Sequence, residues 1–135
     1  NHQEMVATRA EKVARVANII PPMEVGGNVG SDTLVIGWGG TQGAILSAAE
    51  KLESEGLPVA TVHLRHMNPM PSNIGDVLGR YKNIIVPEVN SGQLSMLLRA
   101  AHLVDAKSIN VIQGRGFHVA ELAAGIRSVV EEAGQ

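Results

Sequence analysis

Apolar positions along this chain follow two rhythms. From residue 3 to 20, QEMVATRAEKVARVANII sets Met5, Val6, Arg9, Val13, Val16 and Ile20 at spacings of three and four with charges between them, the repeat of one helical face. This predicts a leading helix within residues 1–22, stopped by Pro21-Pro22. MEVGGNVGS follows with the glycine content of a connector, placing a linker at 23–32. Beyond it, short β-branched runs take over: TLVIGW (33–38), PVATVHL (58–64), NIIVPE (83–88) and SINVI (108–112), separated by helical stretches. Strands alternating with helices imply right-handed crossovers and a mainly parallel sheet covered on both faces. The expectation is a three-layer, Rossmann-like α/β domain over 33–135.

The helices are predicted from their stripes. Between 43 and 55, Ile45, Ala48, Ala49 and Leu52 share a face, and Gly56 is placed to close that helix in a left-handed conformation. Ser72 is expected to cap a short helix carrying Ile74, Val77 and Leu78. Ser91 or Asn90 would cap the next, its buried face holding Leu94, Leu97, Leu98 and Ala101. In the last, Val119, Leu122, Ile126, Val129 and Val130 form one side.

Composition narrows the function. A chain of 135 residues makes one domain, burying roughly two thirds of its unfolded surface. Aromatics are only 2% of it, so the core must be aliphatic and stacking surfaces for bases are scarce. A net charge of −2 without any Lys/Arg block argues against nucleic acid held through phosphates. With no Cys there are no thiolates for zinc or an iron–sulfur cluster and no disulfides, which suits the cytoplasm. No apolar run approaches the roughly 20 residues of a membrane span, and no signal-peptide pattern opens the chain. The first residue is Asn1 rather than Met, which reads as a piece of a longer polypeptide.

In an open parallel sheet, chemistry gathers beyond the carboxyl ends of the strands. The loops there are GWGGTQG (37–43), HLRHMNPMP (63–71), PEVNSGQ (87–93) and QGRGFH (113–118). Strand-to-helix turns collect Gly, Pro and polar caps in any case. The glycine loop fails as a dinucleotide fingerprint: Gly37 and Gly39 fit, but the third glycine is Gly43, one place late. No acid follows at the end of the second strand, where His63, Leu64 and Arg65 stand. A Walker loop fails too, since no Lys-Ser or Lys-Thr follows the glycines. What remains is a tight turn whose helix start, near Thr41 and Gln42, has the geometry to attract a phosphate or carboxylate.

His63 and His66 would point to opposite faces if the strand continued, and no nearby acid completes a metal site. Arg65, between them, suits a partner's carboxylate or phosphate. Nucleophilic catalysis lacks parts, because Ser91 has no base near it in sequence. Glu88 directly follows a buried strand, where such a carboxylate usually bonds a neighbouring loop. Candidate interface or anion contacts are therefore Thr41, Gln42, Arg65, His66, Asn68, Glu88, Asn90 and Gln93, with no catalytic or metal-ligating residue.

Taken in order, LVIGWGGTQGAI, VATVHLRHMNPMPSNIGDVL, IIVPEVNSGQLSMLLRA and VIQGRGFHVAEL resemble the C-terminal domain of the α subunit of 2-oxoacid:ferredoxin oxidoreductases, especially the 2-oxoglutarate type. HLRHMNPMP and PEVNSGQL are the most specific segments. Arg115-Gly116-Phe117 departs from the family's Gly-x-Pro-Phe and loosens that loop. The resemblance implies a transketolase C-terminal fold. It implies a holoenzyme that converts a 2-oxoacid and CoA to acyl-CoA, CO2 and reduced ferredoxin. Thiamine diphosphate, Mg and the iron–sulfur cluster would be carried by the companion β subunit and preceding α-subunit domains. This domain would then assemble an enzyme without cofactors or catalysis of its own. The competing reading is an autonomous flavodoxin-like module binding an anion or nucleotide at Thr41; a stand-alone hydrolase has no nameable nucleophile and base.

Overall fold

The computed structural model describes residues 2–16, 19–67, 69–89, 92–110 and 116–134. The elements in chain order are α1 (His2–Val16), β1 (Gly26–Gly27), β2 (Thr33–Trp38), a 3-10 turn (Gly39–Thr41), α2 (Gln42–Ser54), β3 (Ala60–Leu64), α3 (Ile74–Gly79), β4 (Asn83–Glu88), α4 (Gln93–His102), β5 (Ala106–Asn110) and α5 (Val119–Ala133). They form a five-stranded sheet in the order β1-β3-β2-β4-β5. All neighbours are parallel except β1, which lies antiparallel on β3.

Side chains alternate across the sheet and build a core on each face. Leu34, Ile36, Val62, Leu64, Ile84 and Val86 point toward α3 and α4, meeting Ile74, Val77, Leu78, Leu94 and Leu98. Val35, Val59 and Ile85 point the other way, against Ile45, Ala48 and Leu52 of α2 and Leu122 and Ile126 of α5. Being buried on both sides, β2 and β4 are apolar almost throughout rather than alternating.

Helix α2 buries the expected stripe and ends as its glycine foretold. Gly56 adopts φ +84, while Gly56 N–H donates to Glu53 O at 3.1 Å and Leu57 N–H to Leu52 O at 2.8 Å. These are the paired bonds of a Schellman ending.

Other expectations need correction. β3 starts at Ala60 rather than Pro58, since proline supplies no N–H to the ladder. β5 starts at Ala106, before SINVI; Val111 and Ile112 lie outside the described residues. α4 buries Leu94, Ser95 and Leu98, while Leu97 and Ala101 are exposed: its sheet-facing seam is narrower than its apolar composition. In α5, Val119 is likewise at the surface. The apolar stripe of α1 has no cover, with Met5, Val6, Val13 and Val16 all exposed.

Residues 23–27, expected to be a connector, are held on the body of the domain. Gly26 and Gly27 pair with Thr61 and Ala60. Met23 is buried, and its backbone is gripped by Asn73 at the start of α3. The Met23 N–H donates to Asn73 Oδ1 at 2.8 Å, and Asn73 Nδ2 donates back to Met23 O at 3.1 Å. Asn73, not Ser72, therefore occupies the N-cap position of α3, and with its amide engaged it makes no side-chain cap bond.

Candidate functional site

The connections of a doubly wound sheet reverse direction where β2 meets β4, and the crevice beyond such a point is where these folds receive ligands. Here the β2–β4 ladder stops at Val35–Ile85. The flanking ladders continue, to Trp38–Leu64 on one side and Glu88–Asn110 on the other. β2 and β4 thus part over their last residues, and Pro87, without an N–H, falls where the β2 ladder has already ended.

The protein's own side chains bridge that gap. Trp38 Nε1–H donates to Glu88 Oε1 at 3.2 Å. The same oxygen accepts from Leu94 N–H at 2.7 Å, and Oε2 accepts from Ser95 N–H at 3.3 Å. Leu94 and Ser95 lie in the first turn of α4, so Glu88 caps that helix from the end of the preceding strand. Its side chain is fully buried, a burial made tolerable by these three donors. Gly92, at the N-cap, has φ +90, and a Cβ there would stand 3.2 Å from the hydroxyls of both Ser95 and Ser108.

The glycine loop serves the docking of α2. A Cβ on Gly37 would lie 2.3 Å from Ile45 Cδ1 and 2.8 Å from Thr41 Oγ1. Gly39 meets nothing within 4 Å but has φ +63, where a side chain is strained. Thr41 is buried, its hydroxyl donating to Trp38 O at 3.0 Å. One glycine thus admits the helix and another turns the chain.

A separate cleft of about 380 Å³ opens on the other side of β2, among the first turns of α2, the end of β3 and residues 21–26. Gln42, Arg65 and His66 from the sequence's candidates line it, together with His63. The two histidines share the cleft because β3 ends at Leu64, so strand alternation does not extend to His66. Glu88 and Gln93 belong to the β4–α4 side. Asn68, Asn90, Ser91 and residues 113–115 of QGRGFH lie outside the described residues; Phe117 packs on the α2/α5 core.

His63 is the perturbed group of the cleft. Its Nδ1 is buried without a hydrogen-bond partner. Burial, and then the neighbouring Arg65 charge, hold its pKa below the usual histidine value. Sequence reasoning passed over Trp38 as a site residue and the Pro21–Gly26 wall of the cleft. Single aromatic residues in a turn and a proline pair signal nothing until the fold brings them opposite their partners. Among the described residues, no three His, Asp or Glu side chains gather as a metal site would require.

The family model for the transketolase C-terminal domain matches residues 27–127. The chain is 38% identical to 2-oxoglutarate oxidoreductase subunit KorA of Mycobacterium tuberculosis, over 96% of its own length and 20% of the relative's. It is 30% identical to a 2-oxoacid:ferredoxin oxidoreductase subunit alpha of Saccharolobus solfataricus, over 98% of this chain and 22% of that one. Among solved structures, a 2-oxoglutarate:ferredoxin oxidoreductase from Magnetococcus marinus, with 2-oxoglutarate, coenzyme A and succinyl-CoA bound, superimposes with a TM-score of 0.86 at 30% identity. That match covers 96% of this chain and 23% of the other. The chain therefore spans about a fifth of the length of the curated relatives it matches.

Proposed function

The chain belongs to the transketolase C-terminal domain family, and we propose that it is the organising domain of a 2-oxoacid:ferredoxin oxidoreductase α subunit, contributing no catalytic residue. In this reading the whole enzyme is cytoplasmic and acts on 2-oxoglutarate. It forms the acyl-CoA and CO2 while two electrons pass to ferredoxin. The observation that carries the reading is the superposition of 96% of this chain on less than a quarter of the matched chain of the Magnetococcus enzyme. The donor set agrees with it. A chain without Cys offers no thiolates to a cluster. Thiamine diphosphate, Mg and the iron–sulfur cluster are accordingly assigned to the companion β subunit and the preceding α-subunit domains.

The domain's unburied apolar faces support an assembly role. Met5, Val6, Val13 and Val16 on α1 and Met96 and Leu97 on α4 are exposed, and the superposition extends over nearly all of this chain. The remainder of the same enzyme is the occupant we assign to both faces.

The test is co-purification of the full α subunit with its companion, alongside 2-oxoglutarate- and CoA-dependent ferredoxin reduction. Val13→Glu and Leu97→Glu are expected to weaken assembly and turnover while the α subunit's own melting temperature stays within about 1 °C, as for surface changes. Intact assembly in both variants, or turnover by the 135-residue chain alone, would overturn the proposal.

A further inference from the structure

We propose that the cleft between α2 and β3 binds a small organic anion, a carboxylate or phosphate monoester with an apolar body. Its charged group would sit between Arg65 and His63, and its body against Ile45, Leu46 and Pro21. This inference does not rest on the assembly role.

The volume, about 380 Å³, lies in the range of small-molecule sites, which are mostly apolar with a few convergent polar groups. Its lining has that character, with Ile45, Leu46 and Pro21 beside Arg65 and the two histidines. Arg65 is exposed and makes neither ion pair nor hydrogen bond among the described residues, so its five donors remain available.

His63 supplies the second donor through its tautomer. A proton on Nδ1 would be a buried donor with nothing to receive it, so the neutral ring carries its proton on Nε2. That nitrogen is not among the buried unpaired atoms, while the ring lines the cleft, so it donates there. An anion seated beside it accepts the Nε2–H while the ring stays neutral, the form that burial and the Arg65 charge both favour. The other titratable groups facing the cleft are His66 and Glu24. Glu24 is exposed, and its carboxylate opposes an anion close to it, leaving Arg65 as the charge that holds one.

Calorimetry on the purified protein tests the site using inorganic phosphate, phenyl phosphate and benzoate. Phenyl phosphate is expected to bind at least about tenfold more tightly than inorganic phosphate, as burial of a ring requires. Binding of benzoate as well identifies a carboxylate as acceptable, whereas response to phenyl phosphate alone assigns the phosphate monoester. Arg65→Ala should weaken binding by about tenfold or more, the effect of losing a charged hydrogen bond. His63→Phe, which removes the Nε2 donor, should weaken binding by at least about threefold, whereas His63→Gln, which keeps a donor, should retain it. Leu46→Asp on the exposed rim should weaken phenyl phosphate and spare inorganic phosphate. Equal affinity for the two phosphates, or affinity unchanged in Arg65→Ala and Leu46→Asp, overturns the proposal.

Discussion

The indole of Trp38 and the carboxylate of Glu88 meet at 3.2 Å across the gap where β2 and β4 separate. The place where a doubly wound sheet opens to a ligand is thereby joined by a hydrogen bond between the two parting strands. Because Glu88 also receives Leu94 and Ser95 N–H groups, this closure and the start of α4 depend on one side chain.

Replacing that carboxylate should therefore cost more than one bond. In Glu88→Gln an NH2 group stands where an oxygen received a backbone donor, leaving buried N–H groups opposed. The expected destabilisation is about 1–3 kcal/mol, measured as a lower urea midpoint. Trp38, the chain's one tryptophan, should report the local change in its emission. An unchanged midpoint would show that the cap contributes little.

The glycines of the first loop divide by cause, and substitutions can separate them. Gly39→Val should cost about 1–3 kcal/mol from its positive φ, despite open space around it. Gly37→Ala should be destabilising because Ile45 and Thr41 occupy the position of its Cβ. Gly43, inside α2 with nothing within 4 Å, should accept Ala with a gain of about 0.5–1 kcal/mol. Thermal melts of the three variants side by side check the ordering.

Leu103 closes α4 in the left-handed region at φ 54 with its side chain 91% exposed. A leucine there carries backbone strain and gains no burial. Leu103→Gly is expected to raise stability by about 0.5–1 kcal/mol, relief of strain minus the entropy of glycine. A lower melting temperature would show that the strain relieved is smaller than the entropic cost of glycine.

The pH dependence at His63 has a definite sign. Its pKa is lowered by burial and by Arg65, so at mildly acidic pH the unfolded chain binds a proton that the folded chain refuses. Stability should fall as pH drops below the ordinary histidine value of 6.5 and level off below the folded value. Melting temperatures between pH 8 and 5 should show this slope, and His63→Phe should flatten it.

How much of this was legible depends on whether neighbours in sequence are neighbours in space. The bounds of β2 and β4 match the residues predicted, because both faces of these strands are buried and leave near-continuous apolar runs. β1 left no trace, since Gly26 and Gly27 have no side chains to form a pattern. The stripe of α4 misled because Leu97 is as apolar as Leu98 yet faces outward. Gln42, Arg65 and His66 were candidates before their shared cleft was visible. Its far wall could not be read, because it is held by Asn73 bonding Met23 across 50 positions of sequence.

The two-residue strand Gly26–Gly27 also bears on how this chain avoids its own kind. A sheet's outer strand offers unpaired N–H and C=O groups on which another molecule's strand can grow. On this flank, Ala60 and Thr61 of β3 are already paired. The strand covering them is too short to template a further one and lacks side chains to anchor an intruder. Its closeness enforces the choice of residue, since a Cβ on Gly27 would stand 2.7 Å from Val59 O. A bulkier residue there would lift the cover and expose β3, so Gly27→Val should appear first as concentration-dependent aggregation during refolding.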